Sequence, residues 1–182
     1  MNNEQLAEFD RFLSGVEKRA LRMAEIAVGE REDALDIVQD AMLQLARRYP
    51  HKPAQQWPPL FYRILENRIK DCYRRRGRRS QVFAPSPRRS DDPQPAQAEE
   101  RIADQAAVDP GADLDQNAAL ARLEQALGGL PTRQRQAFML RIWEGLDVAA
   151  TARAMGCSGG SVKTHLSRAL GVLRSELAGY WP

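Results

Sequence analysis

Cysteine and histidine are scarce in this chain of 182 residues: Cys72, Cys157, His51 and His165 are all there are. Two cysteines make no disulfide framework, and with no CxxC pair or Cys/His cluster there is no zinc pattern. The scarcity extends to chemistry. No nucleophile–base pair and no phosphate-cradling loop can be found, so neither catalysis, nor a metal, nor a cofactor is expected. No apolar run approaches the roughly 18 residues that a membrane-spanning helix requires. The opening stretch MNNEQLAEFDRFL is acidic and amphipathic, unlike a secretory signal. A reduced, cytoplasmic setting is the expectation. Strand-like alternation is missing as well, and the chain reads as all-α.

What is present is charge, unevenly laid out. The formal net charge is +3, but residues 1–80 hold 16 Lys/Arg against 12 Asp/Glu and residues 120–182 hold 8 against 4. Residues 81–119 between them hold 3 against 8. Two basic ends around an acidic centre suit a molecule that meets phosphate twice. The centre carries Pro85, Pro87, Pro93, Pro95 and Pro110 among Ser, Gln, Ala and Asp. Such a stretch has too little apolar surface to offset its ordering entropy. It reads as a flexible acidic linker, with a short helical turn near residues 98–107, between helical domains at 1–80 and 120–182.

Apolar residues recur at three- and four-residue steps along both ends. Phe9, Phe12, Leu13, Val16, Ala20 and Met23 mark a first helix, which Gly29 ends. Ala34, Ile37, Val38, Ala41, Met42 and Leu45 mark a second, from about 32 to 48. Pro50, Pro53, Pro58 and Pro59 then call for a loop. A third helix spans about 60–76, with Leu60, Phe61, Ile64, Leu65, Ile69 and Cys72 on its apolar side. After the linker, Leu120, Leu123 and Leu127 restore the period before Gly128-Gly129, and a helix from Thr132 runs to Gly145.

The last third carries the sharpest pattern. Asp147 is a good N-cap, Ala152 is placed where two helices press together, and Gly156 supplies a left-handed turn. Val162 then plugs a final helix, opened by Ser161, into its predecessor. This is helix-turn-helix spacing, suited to pushing a helix into a DNA major groove. On that final helix Thr164, Ser167, Arg168 and Gly171 lie opposite Val162 and Leu166, with Lys163 on the flank. Cations and hydroxyls of this kind reach base edges or phosphates. Gly160 and Ser161 offer backbone amides at the helix start. An ordinary solvated face is the plainer alternative.

Two further groups stand out. Asn67, Arg68, Lys70, Asp71, Arg74 and Arg75 point away from the third helix's apolar side, interleaved with Tyr62 and Tyr73. Cations with aromatics and an amide suit single-stranded DNA, although a basic solvated helix has the same composition. Asp33, Asp36, Gln39 and Asp40 form an acidic edge on the second helix. It suits a basic protein partner, or is simply a row of surface carboxylates.

Three strings then resemble one family. LDIVQDAMLQLARRY resembles the core-binding helix of the sigma2 domain in extracytoplasmic-function (ECF) sigma factors of the sigma-70 family. FYRILENRIKDCYRRRGRR resembles that domain's promoter-melting helix. The stretch from ALGGLPTRQRQAF to LRSEL resembles the sigma4 domain. The resemblance implies a bacterial initiation factor that binds core RNA polymerase and promoter DNA. Asp36, Gln39 and Asp40 would dock on the β′ coiled coil, and the helices from Leu130 to Gly145 on the β flap. Gly160, Ser161, Lys163, Thr164, Ser167 and Arg168 would meet the −35 element. Tyr62, Asn67, Arg68, Asp71, Arg74 and Arg75 would meet the −10 element, with Asn67 at a flipped base and the loop from Pro50 to Pro59 beside it. The acidic linker would thread toward the RNA exit path, and an anti-sigma factor is an expected partner. Departures from the pattern include Leu35, Met42, Ala46, Leu60, Thr151 and Ser167. The rival reading is a free-standing helix-turn-helix regulator that binds an operator as a dimer.

Overall fold

In the computed structural model, residues 3–81 and 114–178 are described, with side chains for 3–78 and 118–178. Residues expected to form the acidic linker fall almost wholly outside that set. Among the described residues there are seven α-helices and no strand: α1 (Asn3–Val28), α2 (Arg31–Arg48), α3 (Trp57–Gln81), α4 (Leu114–Gly129), α5 (Thr132–Phe138), α6 (Val148–Met155) and α7 (Gly159–Glu176). The helix of α4 begins at Leu114, inside the range read as linker.

In the first domain α1, α2 and α3 close around Phe9, Val16, Ala34, Ile37, Leu45 and Phe61. Gly29, with φ of 71°, turns the chain between α1 and α2. Helix α3 starts earlier than its apolar period suggests, because Pro58 and Pro59 lie within its first turn rather than in the preceding loop. The first N–H groups of a helix have no intrahelical acceptor, so proline loses nothing there and arrives with a suitable φ. Trp57 fixes the entry. Its ring meets Phe9 edge-on at 4.9 Å and Phe12 at 5.9 Å, and the residue is 1% exposed. At the other end of α3, Arg76 donates to the Asp33 carboxylate at 3.1 Å and to the Val28 carbonyl at 2.6 Å. Asp33 therefore ties α3 to the α1–α2 corner, and the Arg76 hydrogen bond holds its carboxyl below the usual range.

In the second domain α4, α5, α6 and α7 pack around Leu127, Leu130, Met139, Leu140, Val162 and Leu173. After Phe138 the helix continues through a wider π-turn, Met139–Trp143, with Glu144 N–H donating back to the Met139 carbonyl at 3.0 Å. Gly145 then ends it with φ of 67°. The two domains are packed on one another, α3 against α6 and α1 against α4, a contact that the sequence does not announce.

The Trp57 indole Nε1 is buried with no acceptor among the described residues, so its value lies in ring volume alone. Trp57→Ala is expected to cost about 3–5 kcal/mol through the cavity it leaves. Trp57→Phe, which removes the unsatisfied donor, is expected to cost far less. Urea denaturation followed by circular dichroism separates the two.

Candidate nucleic-acid interface

Local chemistry presents α7 in a fixed pose. Asp147 caps α6, its Oδ1 accepting from Ala150 N–H at 2.6 Å, and Thr151 Oγ1 donates to the Asp147 carbonyl at 2.8 Å. Gly156 closes α6 in the left-handed conformation (φ of 63°), where a Cβ would be strained. Arg133 donates to the Met155 carbonyl at 2.6 Å, satisfying one of the free acceptors at the end of α6. Ser158 then caps α7, accepting from Ser161 N–H at 3.1 Å. The helix thus opens at Gly159, two residues ahead of Ser161. A Cβ on Gly159 would come within 3.1 Å of a Val148 methyl, so a glycine there lets α7 start close against α6. The fully buried contact on α6 is Thr151, at 0% exposure. Ala152 is only half-buried and borders a cleft toward the first domain.

These choices sort the outer face of α7. Lys163, Ser167 and Arg168 are exposed and have no partner among the described residues. Thr164 is exposed too, but its hydroxyl donates to the Gly160 carbonyl at 3.1 Å. Ser161 is half-buried, with its hydroxyl 2.9 Å from that of Ser158. The hydroxyls of Ser161 and Thr164 are therefore engaged in the helix itself, while the cations Lys163, between them, and Arg168, one turn on, are free.

On α3 the expected set divides. Asn67, Asp71, Arg74 and Arg75 are exposed. Arg74 lies 3.5 Å from Asp71, and Arg68 is half-buried, donating to Gln44 at 3.0 Å with Asp40 at 3.6 Å. Tyr62 is placed differently from the others. It is 3% exposed, covered by the second domain, and burial followed by the nearby Glu144 carboxylate drives its hydroxyl far above the usual range. In this arrangement its ring cannot stack on a base. Tyr62, Glu66, Ile69 and Tyr73 recur at helical spacing and form the stripe of α3 turned to the second domain. Burial raises the Glu66 carboxyl, and Arg135 donates to the Tyr73 hydroxyl at 3.2 Å.

On α2, Asp36, Gln39 and Asp40 are exposed, and they share a groove with Leu43, Arg68 and Arg75. Reading charge alone missed two neighbours: Leu35 is 39% and Leu43 51% exposed. Their signal was their place outside the apolar stripe, since neither falls in step with Ile37, Ala41 and Leu45. Asp33 leaves this acidic edge for its bond with Arg76. No cluster of possible metal ligands occurs among the described residues, and no described helix is long and apolar enough to cross a membrane.

A basic third helix and a presented helix-turn-helix, one in each helical unit, fit the class of promoter-reading subunits of RNA polymerase. Residues 9–79 match the family model of Sigma-70 region 2, and residues 120–173 that of Sigma-70, region 4. The RNA polymerase sigma-E factor of Streptomyces coelicolor is 33% identical over 174 residues, 95% of this chain and 88% of that protein. The RNA polymerase sigma-E factor of Streptomyces antibioticus is 30% identical over 180 residues, 97% and 88% respectively. Among solved structures, the sigma factor RpoE of Bartonella quintana, in complex with the anti-sigma factor NepR, has a TM-score of 0.65 at 25% identity, covering 93% of this chain and 96% of that one. CnrH, in complex with the cytosolic domain of CnrY, shares the fold with a TM-score of 0.58 at 21% identity, covering 94% and 88%. The chain belongs to the sigma-70 family of RNA polymerase sigma factors, in its ECF group, and acts in transcription initiation. A dimeric operator-binding regulator is not favoured, since it leaves the region 2 match without a purpose.

Each free phosphate-reaching cation contributes close to one unit to the salt dependence of DNA binding. Lys163→Ala and Arg168→Ala are each expected to flatten the log–log salt slope by about 0.9, whereas Thr164→Val, whose hydroxyl is already engaged, leaves it unchanged. Fluorescence anisotropy on duplex DNA across a salt series reads all three.

Proposed function

We propose a division of labour among the residues of this sigma factor. The domain at 1–80 joins core polymerase through Asp36, Gln39 and Asp40 on α2, with Leu35 and Leu43 adding apolar contact to the β′ coiled coil. The same domain engages the −10 element through α3: Asn67 holds a flipped base of the non-template strand, and Arg68, Asp71, Arg74 and Arg75 line the approach. The domain at 120–182 reads the −35 element with Lys163, Ser167 and Arg168, while Gly160, Ser161 and Thr164 shape the helix start. Its segment from Leu130 to Gly145 meets the β flap. Bond-making belongs to the polymerase, and this chain supplies positioning and strand capture in the cytoplasm.

The observation that carries the reading is the pairing of two exposed cationic faces, on α3 and α7, with an acidic strip on α2. The first two suit nucleic acid and the third a basic protein surface. An anti-sigma factor is a further proposed partner, supported by the complexes formed by RpoE with NepR and by CnrH with CnrY.

Flipping a base costs a few kcal/mol of unstacking, which the pocket must offset. Asn67→Ala is expected to lower open-complex yield on duplex promoter about tenfold, equivalent to about 1.4 kcal/mol. Closed-complex formation should be unchanged, and a pre-melted promoter should restore activity in part. Permanganate footprinting with core polymerase measures this, and equal opening by the variant would remove Asn67 from the role. Asp36→Lys, which breaks no internal ion pair, is expected to weaken core binding at least tenfold in a pull-down or anisotropy titration while helical content stays the same.

A further inference from the structure

The contact between the two domains covers surface that the proposed function needs. Met139 and Leu140, within the segment assigned to the β flap, are at most 2% exposed. Met139 and Leu140 line a small cavity with Met23, Tyr62 and Leu65 of the first domain. Charge holds this contact at its rim. Arg19 of α1 donates Nε–H to both oxygens of the Glu144 carboxylate, at 3.0 and 3.1 Å, and the Glu144 side chain is 4% exposed. Arg22, one turn on, donates to Glu124 of α4 at 2.8 Å and to Glu25 at 3.0 Å. Arg135 of α5 reaches across to Tyr73.

The same contact is imperfect inside. The Tyr62 hydroxyl and Glu66 Oε1, both on the cavity shared by the two domains, are buried with no hydrogen-bond partner among the described residues, and Lys70, on the same helix as Glu66, stands 3.9 Å off. Buried polar atoms without partners weaken an interface. Arg19 and Arg22 keep access to solvent, with side chains 50% and 42% exposed, so salt can screen their pairs. Unsatisfied polar atoms within and screenable pairs at the edge both weaken the contact. The buried apolar residues of the two domains run together into one cluster, so the clasp at the rim adds to an apolar contact.

We infer that the Arg19–Glu144 and Arg22–Glu124 pairs form a releasable clasp, holding the chain in a closed form that hides Met139 and Leu140 from polymerase. The inference rests on the assignment of that surface to the β flap. A partner that binds only the open form sees an affinity reduced by the open fraction. Core polymerase therefore competes with the first domain for one apolar strip, and whatever loosens the clasp raises occupancy of polymerase without touching either DNA-reading face.

The test uses the full chain, alone and then with core polymerase. Arg19→Glu places like charges together at Glu144, and Arg22→Glu does so at Glu124. Small-angle scattering should show a larger radius of gyration for each, with the open-to-closed ratio up about tenfold and far-UV circular dichroism unchanged. Arg19→Glu combined with Glu144→Arg should return the compact form, which separates a broken clasp from a damaged domain. Raising salt should open the parent chain and have less effect on Arg19→Glu. In a core-polymerase titration Arg19→Glu should bind up to tenfold more tightly, since Arg19 lies on α1, away from the assigned docking residues. Unchanged compactness in both single variants overturns the clasp. Opening without tighter binding overturns its masking of the flap-facing strip. Failure of every form, the parent included, to bind polymerase sinks the functional reading instead.

Discussion

Helix α3 has to satisfy three neighbours at once, and the rest of the molecule is arranged around that constraint. One stripe, Trp57, Phe61 and Leu65, enters the first domain's core. A second, Tyr62, Glu66, Ile69 and Tyr73, faces the other domain, and the remainder is left for solvent. A helix turns about 100° per residue, so three faces of this width consume its whole circumference. Nothing on α3 is spare. That is why the exposed strip, Asn67, Asp71, Arg74 and Arg75, is narrow and almost wholly polar. It is also why the basic character of α3 is divided between work at its surface and ties such as Arg76 to Asp33.

Much of this could be read from the residues in order. The helices around Phe9, Ile37, Phe61 and Leu173 follow from apolar spacing. The turns at Gly29, Gly145 and Gly156 follow from a residue type that tolerates positive φ. The acidic edge of α2 and the cations of α7 were legible for the same reason, since amphipathic period separates inner from outer faces. What periodicity cannot say is which partner covers a face. Tyr62, expected on the −10 face, is covered by the second domain in this arrangement, because nothing local distinguishes a stripe meant for nucleic acid from one meant for another helix. The Arg19–Glu144 bond joins residues 125 apart, and neither side chain carries a mark of the other. Local rules misled in one place as well. Pro58 and Pro59 read as loop, yet a helix's first turn is where proline does least harm.

The helix-turn-helix shows how small polar residues set the identity of a reading surface indirectly. Ser158, Ser161 and Thr164 direct their oxygens to backbone groups or to one another. They stiffen the start of α7 and subtract themselves from the set of groups free to bond a base. The long side chains of Lys163, among them, and Arg168, beyond them, are left with reach and freedom. In the role proposed for it, such a face favours phosphate positioning and guanine edges over fine discrimination by hydroxyls.

The π-turn at Met139–Trp143 carries a consequence for the lineage of this chain. A wide turn is a helix that has taken in one residue without breaking, and everything after it is rotated relative to a regular helix. Glu144 comes directly after that turn and is the residue that meets Arg19. Removing a single residue there would leave two sound bundles whose charges no longer meet. The coupling between the halves is thus set by chain length at one point, a property that relatives could gain or lose in one step without altering either half's own trade.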